Sequence, residues 1–350
     1  MQPFEGVRVL DFTHVLAGPF AAYQLAVLGA DVIKIEDTHV PDMMRGEGVS
    51  PALNAEGRGT RFQTQGGNKR MIAVDLKSSE GREIILKLVD SADVVISNFR
   101  TGTMGRLGLG VDVLTARKPD LVWCTLTGFG ATGPKAEHPA FDNVIQAYSG
   151  LLASTGHEGG APVKVGPPVL DYGTGAQAAF AIAAALFQRT RTGLGQRIDV
   201  SMLDAALMLM ASTVSDSDAR QGPPPPHGNS DPIRPAYGLF ETTDGQLMIG
   251  AFTNRQVARL WRVLGDDARA ETALQRTTPE WHATAADDRA ALRDVLREKN
   301  ASDMEDALNA AGVPAARVRN MFEAMTSEQV AGRAVLQPGV TAPETDRGLT

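Results

Sequence analysis

The 350-residue sequence predicts an α/β protein, a large Rossmann-like domain on a parallel sheet followed by a smaller α+β domain. Three observations carry this reading. Short aliphatic runs alternate with helical apolar spacing through residue 126, the rhythm of strand and crossover helix. A proline run then breaks the chain at 221–235, and beyond it an Asp244-Gly245 turn between two apolar runs marks a hairpin.

In order along the chain, VRVLDF (7–12) reads as a buried strand and DVIKIE (31–36) as a second. Between them GPFAAYQLAVLG (18–29) has helical spacing and ends in glycine, the usual residue past a helix C-terminus. This is a βαβ unit, so its strands are parallel with a right-handed crossover. A strand over 71–75, a helix over 79–90 and strands over 93–97 and 121–126 continue the pattern. From Gly173 a run of Ala, Ile, Leu and Phe without a polar face predicts a helix buried in a core or a subunit interface. A strand over 196–200 and a Met-rich helix over 202–211 follow. QGPPPPHGNSDPIRP (221–235) cannot hold a helix or an inner strand and reads as a linker. After the hairpin over 237–251 come helices near 255–264, 286–299 and 302–311, a short connection or strand over 312–318, and an irregular last dozen residues. The expected boundaries are a large domain over 1–220, a linker over 221–235, a small domain over 236–320 and a return segment toward the large domain over 321–350.

Composition removes several function classes. A net charge of −7 argues against a nucleic-acid-binding surface, which needs a clustered basic face. Cys124 is the only cysteine, so neither an intrachain disulfide nor a cysteine zinc site can form. The six histidines are scattered, with no H-E-x-x-H, and no metal site is expected. MQPFEGVRVLDF lacks the basic and long apolar regions of a signal peptide, and the apolar stretch near 176–187 contains Gln177 and is too short for a membrane span. A soluble, cytoplasmic protein without a membrane partner is the expectation.

GPPVLDYGTGAQA (166–178) holds two candidate sites. Gly173 to Ala178 fits the G-x-G-x-x-G/A dinucleotide pattern, but Pro167 and Pro168 spoil the strand that should precede it, and no acidic residue follows at the ribose distance. NAD and FAD are therefore not expected. The same stretch carries Asp171 ahead of a helix, where it is either an N-cap or a nucleophile. Glycines on both sides leave the carboxylate unshielded, and a helix N-terminus would keep it ionised at pH 7.

Several segments together resemble the class III coenzyme A transferases, the formyl-CoA and crotonobetainyl-CoA transferase group. They are DFTHVLAGPFAAYQLAVLGADVIKIE (11–36), DMMRG (42–46), NKRMIAVDLKSSEGREIILKLVDSADVVISNFRTGTMGRLGLG (68–110), GFGATGPKAEHPAFDNVIQAYSGL (128–151), GPPVLDYGTG, FQRTRTGLGQRIDVSMLDA (187–205) and PAYGLFETTDGQLMIGA (235–251). The resemblance implies that Asp171 attacks an acyl-CoA thioester and carries CoA as an aspartyl thioester before handing it to a carboxylic acid, with CoA as co-substrate. It implies CoA contacts from His14, Val15, Leu16, Ala17, Val74, Lys77, Asn98, Phe99 and Arg106. Asp37-Thr38-His39 stands where relatives are often basic or rich in proline and glycine, which makes Arg45 the expected replacement cation. Oxyanion donors are expected at Gly173 and near Gly228. An interlocked homodimer and a shortened C-terminal return segment are also implied.

The same family includes α-methylacyl-CoA racemases, which place a histidine where this chain has Phe141. Phe141 cannot exchange a proton, and His138, three residues away, is expected to face elsewhere. Transfer is thus expected over racemisation, and a non-catalytic acyl-CoA-binding protein is the third reading.

Overall fold

Alternation along the strands decides the architecture. Val9 joins one apolar cluster while Leu10 and Phe12 join another, and β2 divides Val32 from Ile33 and Ile35 in the same way. A sheet apolar on both sides must be covered on both sides, as parallel sheets are. The computed structural model, which describes residues 1–338 and 347–349, has that form.

Six strands pair in parallel in the order β3-β2-β1-β4-β5-β6. They are β1 (Arg8–Phe12), β2 (Asp31–Glu36), β3 (Lys69–Ala73), β4 (Val94–Ser97), β5 (Val122–Thr127) and β6 (Arg197–Ser201). The helices that build the site are α1 (Ala17–Val27), α2 (Ser79–Val89), α3 (Asp142–Ser149), α4 (Val169–Thr192) and α5 (Met202–Leu209). Helices α1 and α4 supply Ala21, Leu25, Ala178 and Ile182 to the face holding Val9, Val32, Val94 and Cys124. Helix α2 supplies Ile85 and Val89 to the opposite face. Successive strands are added in one sense from β1 to β3 and in the other from β4 to β6, so the loops after β1 and β4 diverge and open a crevice at their carboxyl ends.

Helix α4 departs from the sequence reading. It runs for 24 residues from Val169, so Gly173 and Gly175 lie inside it and form no phosphate-binding turn. Gly175 is required for packing: a Cβ there would sit 2.5 Å from the Ala17 carbonyl oxygen of α1. The helix is long and apolar enough to cross a membrane, but Leu170, Thr174, Ala178, Ile182 and Leu186 are buried within this domain.

The chain divides into two compact units. The first comprises Met1–Ala153, Lys164–Pro224 and the segment from Val335; the second comprises Ser154–Val163 and Pro225–Ala334. The linear boundaries did not foresee that residues 154–163 leave the first unit. In the second unit β7 (Tyr237–Thr242), β8 (Gly245–Gly250) and β9 (Ala315–Arg317) form an antiparallel sheet in that order, with the turn at Asp244-Gly245. Its core holds Phe240, Leu247, Trp261, Trp281 and Leu296. Helices α6 (Asn254–Val263), α7 (Asp267–Gln275), α8 (Thr278–Leu296) and α9 (Ala301–Ala310) complete it. Helix α8 starts earlier than its apolar spacing predicts because Thr277 and Glu280 close a capping box. Leu336–Pro338 pairs antiparallel with Arg347–Leu349, and the rest of the predicted irregular end lies outside the described residues.

Candidate active site

The turn from β1 into α1 is tied down at nearly every polar backbone group. Asp11 accepts the Thr13 amide at 2.9 Å, and Asn98, after β4, accepts the His14 amide at 3.0 Å and donates to the His14 carbonyl at 2.7 Å. This reciprocal pair bridges the switch point of the sheet. The His14 and Phe99 rings lie 5.5 Å apart over it. Val15 sits at φ 71°, a conformation β-branched residues adopt only under constraint. Burial pushes the His14 imidazole below its ordinary value, so the ring is neutral near pH 7.

Asp171 answers the cap-or-nucleophile question through its neighbours. It is the third residue of α4, not its N-cap, and Pro168 at the cap position offers no side-chain bond. The first amides of α4 are satisfied from another element: Asp142, at the start of α3, accepts the Leu170 amide at 2.8 Å and the Asp171 amide at 3.1 Å. Gln146, one turn on, donates to the other Asp142 oxygen at 2.5 Å. Because Asp142 does the capping, the Asp171 side chain is released from it. The Asp171 carboxylate instead shares the cleft with the Ala17 amide at the N-terminus of α1, whose dipole favours its charged form.

The expected exposed, fully ionised carboxylate is corrected on both counts. Asp171 is only 9% exposed. Burial first, and the neighbouring Asp142 charge second, raise its pKa from 3.8 to about 7 despite the Ala17 amide. Two helix N-termini do not offset the loss of water.

A cleft of about 410 Å³ lies over this group, lined by His14, Val15, Leu16, Ala17, Asn98, Phe99 and Asp171. Arg100, Glu137, His138 and Phe141 line it too, so His138 does not face elsewhere as expected. A second cavity of about 380 Å³ shares His14, Phe99 and Thr103 and adds Ile35, Asp37, Val40, Leu76 and Lys77. The structure thus brings together seven of the predicted residues at the first cleft and Lys77 at the second.

Three predicted contacts are placed otherwise. The Val74 side chain is buried in the apolar cluster with Ile35 and Leu76. Arg45 is a paired residue, clamping Glu36 through Nε at 3.0 Å and Nη2 at 2.5 Å while its guanidinium lies 4.0 Å over the Phe62 ring. Arg106 is exposed, donates to the Thr103 hydroxyl at 2.9 Å and lines neither cavity. Both expected oxyanion donors are already engaged, Gly173 inside α4 and Gly228 through its amide to the Gly156 carbonyl at 2.7 Å. Cys124 is fully buried, and burial raises its thiol out of reach of thiolate chemistry. Among the described residues no group of acids, histidines and cysteines could hold a metal.

Sequence reasoning missed a set of buried charges beneath the turn. Asp11 and Lys34 are register partners on β1 and β2, each wholly enclosed. Lys69 reaches Asp11 at 2.9 Å and the Pro19 carbonyl at 2.9 Å, and Lys34 reaches Asp42 at 3.1 Å and the Thr13 carbonyl at 2.6 Å. The available signal was a lysine in the middle of the apolar strand DVIKIE, since a charge in a buried strand requires a partner. Asp142 left no comparable signal, because its capping partners lie 28 and 29 residues away.

Comparison with known proteins agrees with the fold. The model of the CoA-transferase family III matches residues 4–345. The chain is 34% identical to the succinate–glutarate CoA-transferase of Agrobacterium fabrum, over 95% of this chain and 84% of that protein. It is 35% identical to the acetyl-CoA:oxalate CoA-transferase of Acetobacter aceti, over 95% of this chain and 85% of that one. A crystal structure of a CAIB/BAIF family protein from Brucella suis superposes with a TM-score of 0.85 at 31% identity, covering 99% of this chain and 91% of that one. With a six-stranded parallel sheet, a cleft at its switch point and a family match over nearly its whole length, this chain belongs to the class III CoA-transferases.

Proposed function

We propose that the protein moves CoA from an acyl-CoA to a free dicarboxylic acid, with Asp171 as the covalent carrier. The observation that carries this is the division of labour at the start of α4: Asp142 caps the helix, so the cleft-facing Asp171 carboxylate is free to attack. An Asp171 oxygen adds to the thioester carbonyl carbon, the C–S bond breaks, and CoA leaves as thiolate, giving a mixed anhydride. The thiolate then attacks the Asp171 carbonyl carbon and expels the donor carboxylate, leaving an aspartyl-CoA thioester. The acceptor carboxylate attacks this thioester and frees the thiolate. Attack of the thiolate on the acceptor's acyl carbon finally restores the Asp171 carboxylate. Every attacking group is an anion, so no proton has to be removed during the sequence.

The chain's own groups support these steps. The Ala17 amide, at the same cleft as the carboxylate, would serve the oxygen of the Asp171 carbonyl as it becomes tetrahedral. His14, Asn98 and Phe99 would hold the pantetheine arm in the first cleft, and Lys77 would meet phosphate at the second cavity. The names of the two relatives, one acting on succinate and glutarate and the other on oxalate, support a dicarboxylic acceptor. Phe180 and Phe187 on α4 and Met208 and Leu209 on α5 are each at least 50% exposed, which supports a homodimer that covers them. Light scattering tests that point, and a monomer at micromolar concentration refutes it.

Exchange of labelled CoA across a panel of mono- and dicarboxylates tests the reaction. Transfer to dicarboxylates that is lost in Asp171→Asn is the expected result, and full transfer by that variant refutes the proposal. His138 in the same cleft as Asp171 keeps racemisation open to the same samples. Solvent deuterium appearing at the α-carbon of a 2-methylacyl-CoA would establish it.

A further inference from the structure

We infer that the buried Lys34–Asp42 pair is a positioning device that holds the β1–α1 turn in its constrained shape and thereby keeps the Ala17 amide turned into the cleft that holds Asp171. The inference rests on the reading of Asp171 as nucleophile, but its structural half can be tested without turnover.

The turn has to satisfy two demands that oppose each other. Val15 stands at φ 71°, which a valine leaves unless something holds it. Two residues later the chain must present the Ala17 amide to Asp171. Asp42 provides the hold, since one of its oxygens accepts the Val15 amide at 3.2 Å and the Met44 amide at 3.1 Å. Its other oxygen takes Lys34 at 3.1 Å, and Lys34 in turn donates to the Thr13 carbonyl at 2.6 Å. One ion pair therefore grips the turn on both sides of His14.

Both side chains are 2% exposed, so neither charge has water to fall back on. The Asp42 amide is itself fixed, donating to Glu36 at 3.0 Å at the end of β2. Lys34 springs from the same strand, so both jaws are anchored in the sheet. The neighbouring Asp11–Lys69 pair is built differently: it braces Thr13 and the Pro19 carbonyl but touches neither Val15 nor its amide. A buried ion pair seldom adds net stability over an apolar pair of similar size, whereas a fixed hydrogen-bond geometry cannot be replaced by one. That contrast separates positioning from mere stability.

The test compares Lys34→Met/Asp42→Leu with Lys34→Met/Asp42→Asn. Both remove the ion pair, and only the asparagine keeps an acceptor for the Val15 amide. In the leucine variant kcat is expected to fall about 100-fold, the scale of an ångström misplacement at a reacting group. KM for acyl-CoA should rise by less than kcat falls, because Asn98 keeps both of its bonds to the His14 backbone. The asparagine variant should recover at least about tenfold of the loss.

The second readout is the titration of Asp171 in resting protein, followed by carbon-13 resonances of labelled aspartate. Asp171 is faced by the Ala17 amide from α1 and by Asp142 from α3, with His14, Arg100, Glu137 and His138 around the cleft. Of these, the Ala17 amide and His14 ride on the turn that Asp42 grips, and His14 is neutral near pH 7, so in the leucine variant the midpoint moves up with loss of the amide, and in the asparagine variant it stays at the wild-type position. A leucine variant with wild-type turnover and titration overturns the inference, as does a loss of turnover with unchanged titration. If the leucine variant does not fold, a shifted Asp171 midpoint in the asparagine variant overturns it alone. Wild-type protein without transferase activity would reject the functional reading, while the titrations would still decide the positioning claim.

Discussion

Two buried acids lie on either side of the same turn and meet opposite fates. Asp11 is completely enclosed, yet its carboxyl stays below the ordinary aspartate value: burial pushes it up, and Lys69, Lys34 and the Thr13 hydroxyl more than reverse the push. Asp171 is less enclosed, yet burial first and the neighbouring Asp142 charge second raise its pKa to about 7, with a single amide to oppose them. Among the described residues no cation forms a salt bridge with Asp171. The difference teaches that counter-charge, more than depth, separates a structural acid from a reactive one. Where lysines are supplied the chain is immobilised. Where they are withheld, a carboxylate remains whose charge is relieved when it becomes an anhydride or a thioester.

Removing each side of this contrast gives predictions of decreasing size. Asp171→Asn should lower kcat/KM on the order of 10⁴-fold or more, since no other group can carry CoA. Lys69→Met leaves Asp11 buried without its partner and should cost about 3–5 kcal/mol in urea unfolding, a loss that Asp11→Leu in the same chain largely reverses.

The same Asp171→Asn protein should be more stable than the wild type in alkali. The folded state binds the Asp171 proton more tightly than the unfolded chain, with a pKa of about 7 against 3.8. Ionisation therefore costs stability as pH rises from about 4 to about 7, and the full cost, up to about 4 kcal/mol, applies above that window. Unfolding at pH 8 should show the gain and unfolding at pH 4 should show almost none. Gly175→Ala drives a methyl to 2.5 Å from the Ala17 carbonyl and should destabilise by about 1–3 kcal/mol while slowing transfer.

The smallest change is the most specific. Catalysis needs the Asp171 anion, so kcat/KM should climb with pH through about 7 in the wild type. Asp142→Asn keeps acceptors for the Leu170 and Asp171 amides but removes the charge, so the limb should move to lower pH with only a modest change in the alkaline plateau. An unmoved limb would mean that burial alone sets the value.

Much of the fold was legible, because strand and helix periodicities were strong where the sheet is buried on both sides. The six strands, the hairpin at Asp244-Gly245 and most of the expected helices lie within a few residues of their predicted places, whereas α3 and α7 were not foreseen. The start of α4 was misplaced because its cap comes from Asp142, 28 residues earlier, and no local rule reads a cap from another element. The cleft residues around His14 and Asn98 came from matched motifs, and their meeting follows from the switch point between β1 and β4. Arg45 was misread because basic character is visible in sequence and its engagement with Glu36 is not. The state of Asp171 was misjudged for a related reason. Helix position is local and was counted, while burial and the Asp142 charge are products of packing and were not.

The central claim is that Asp171 becomes covalently charged during turnover. Incubation with an acyl-CoA, trapping with hydroxylamine and peptide mass spectrometry test it most directly. The account predicts a hydroxamate on the peptide containing Asp171, formed only in the presence of acyl-CoA and absent from Asp171→Asn. Transfer that proceeds with no modification there, or with the mark on another acid such as Asp142 or Glu137, would contradict it.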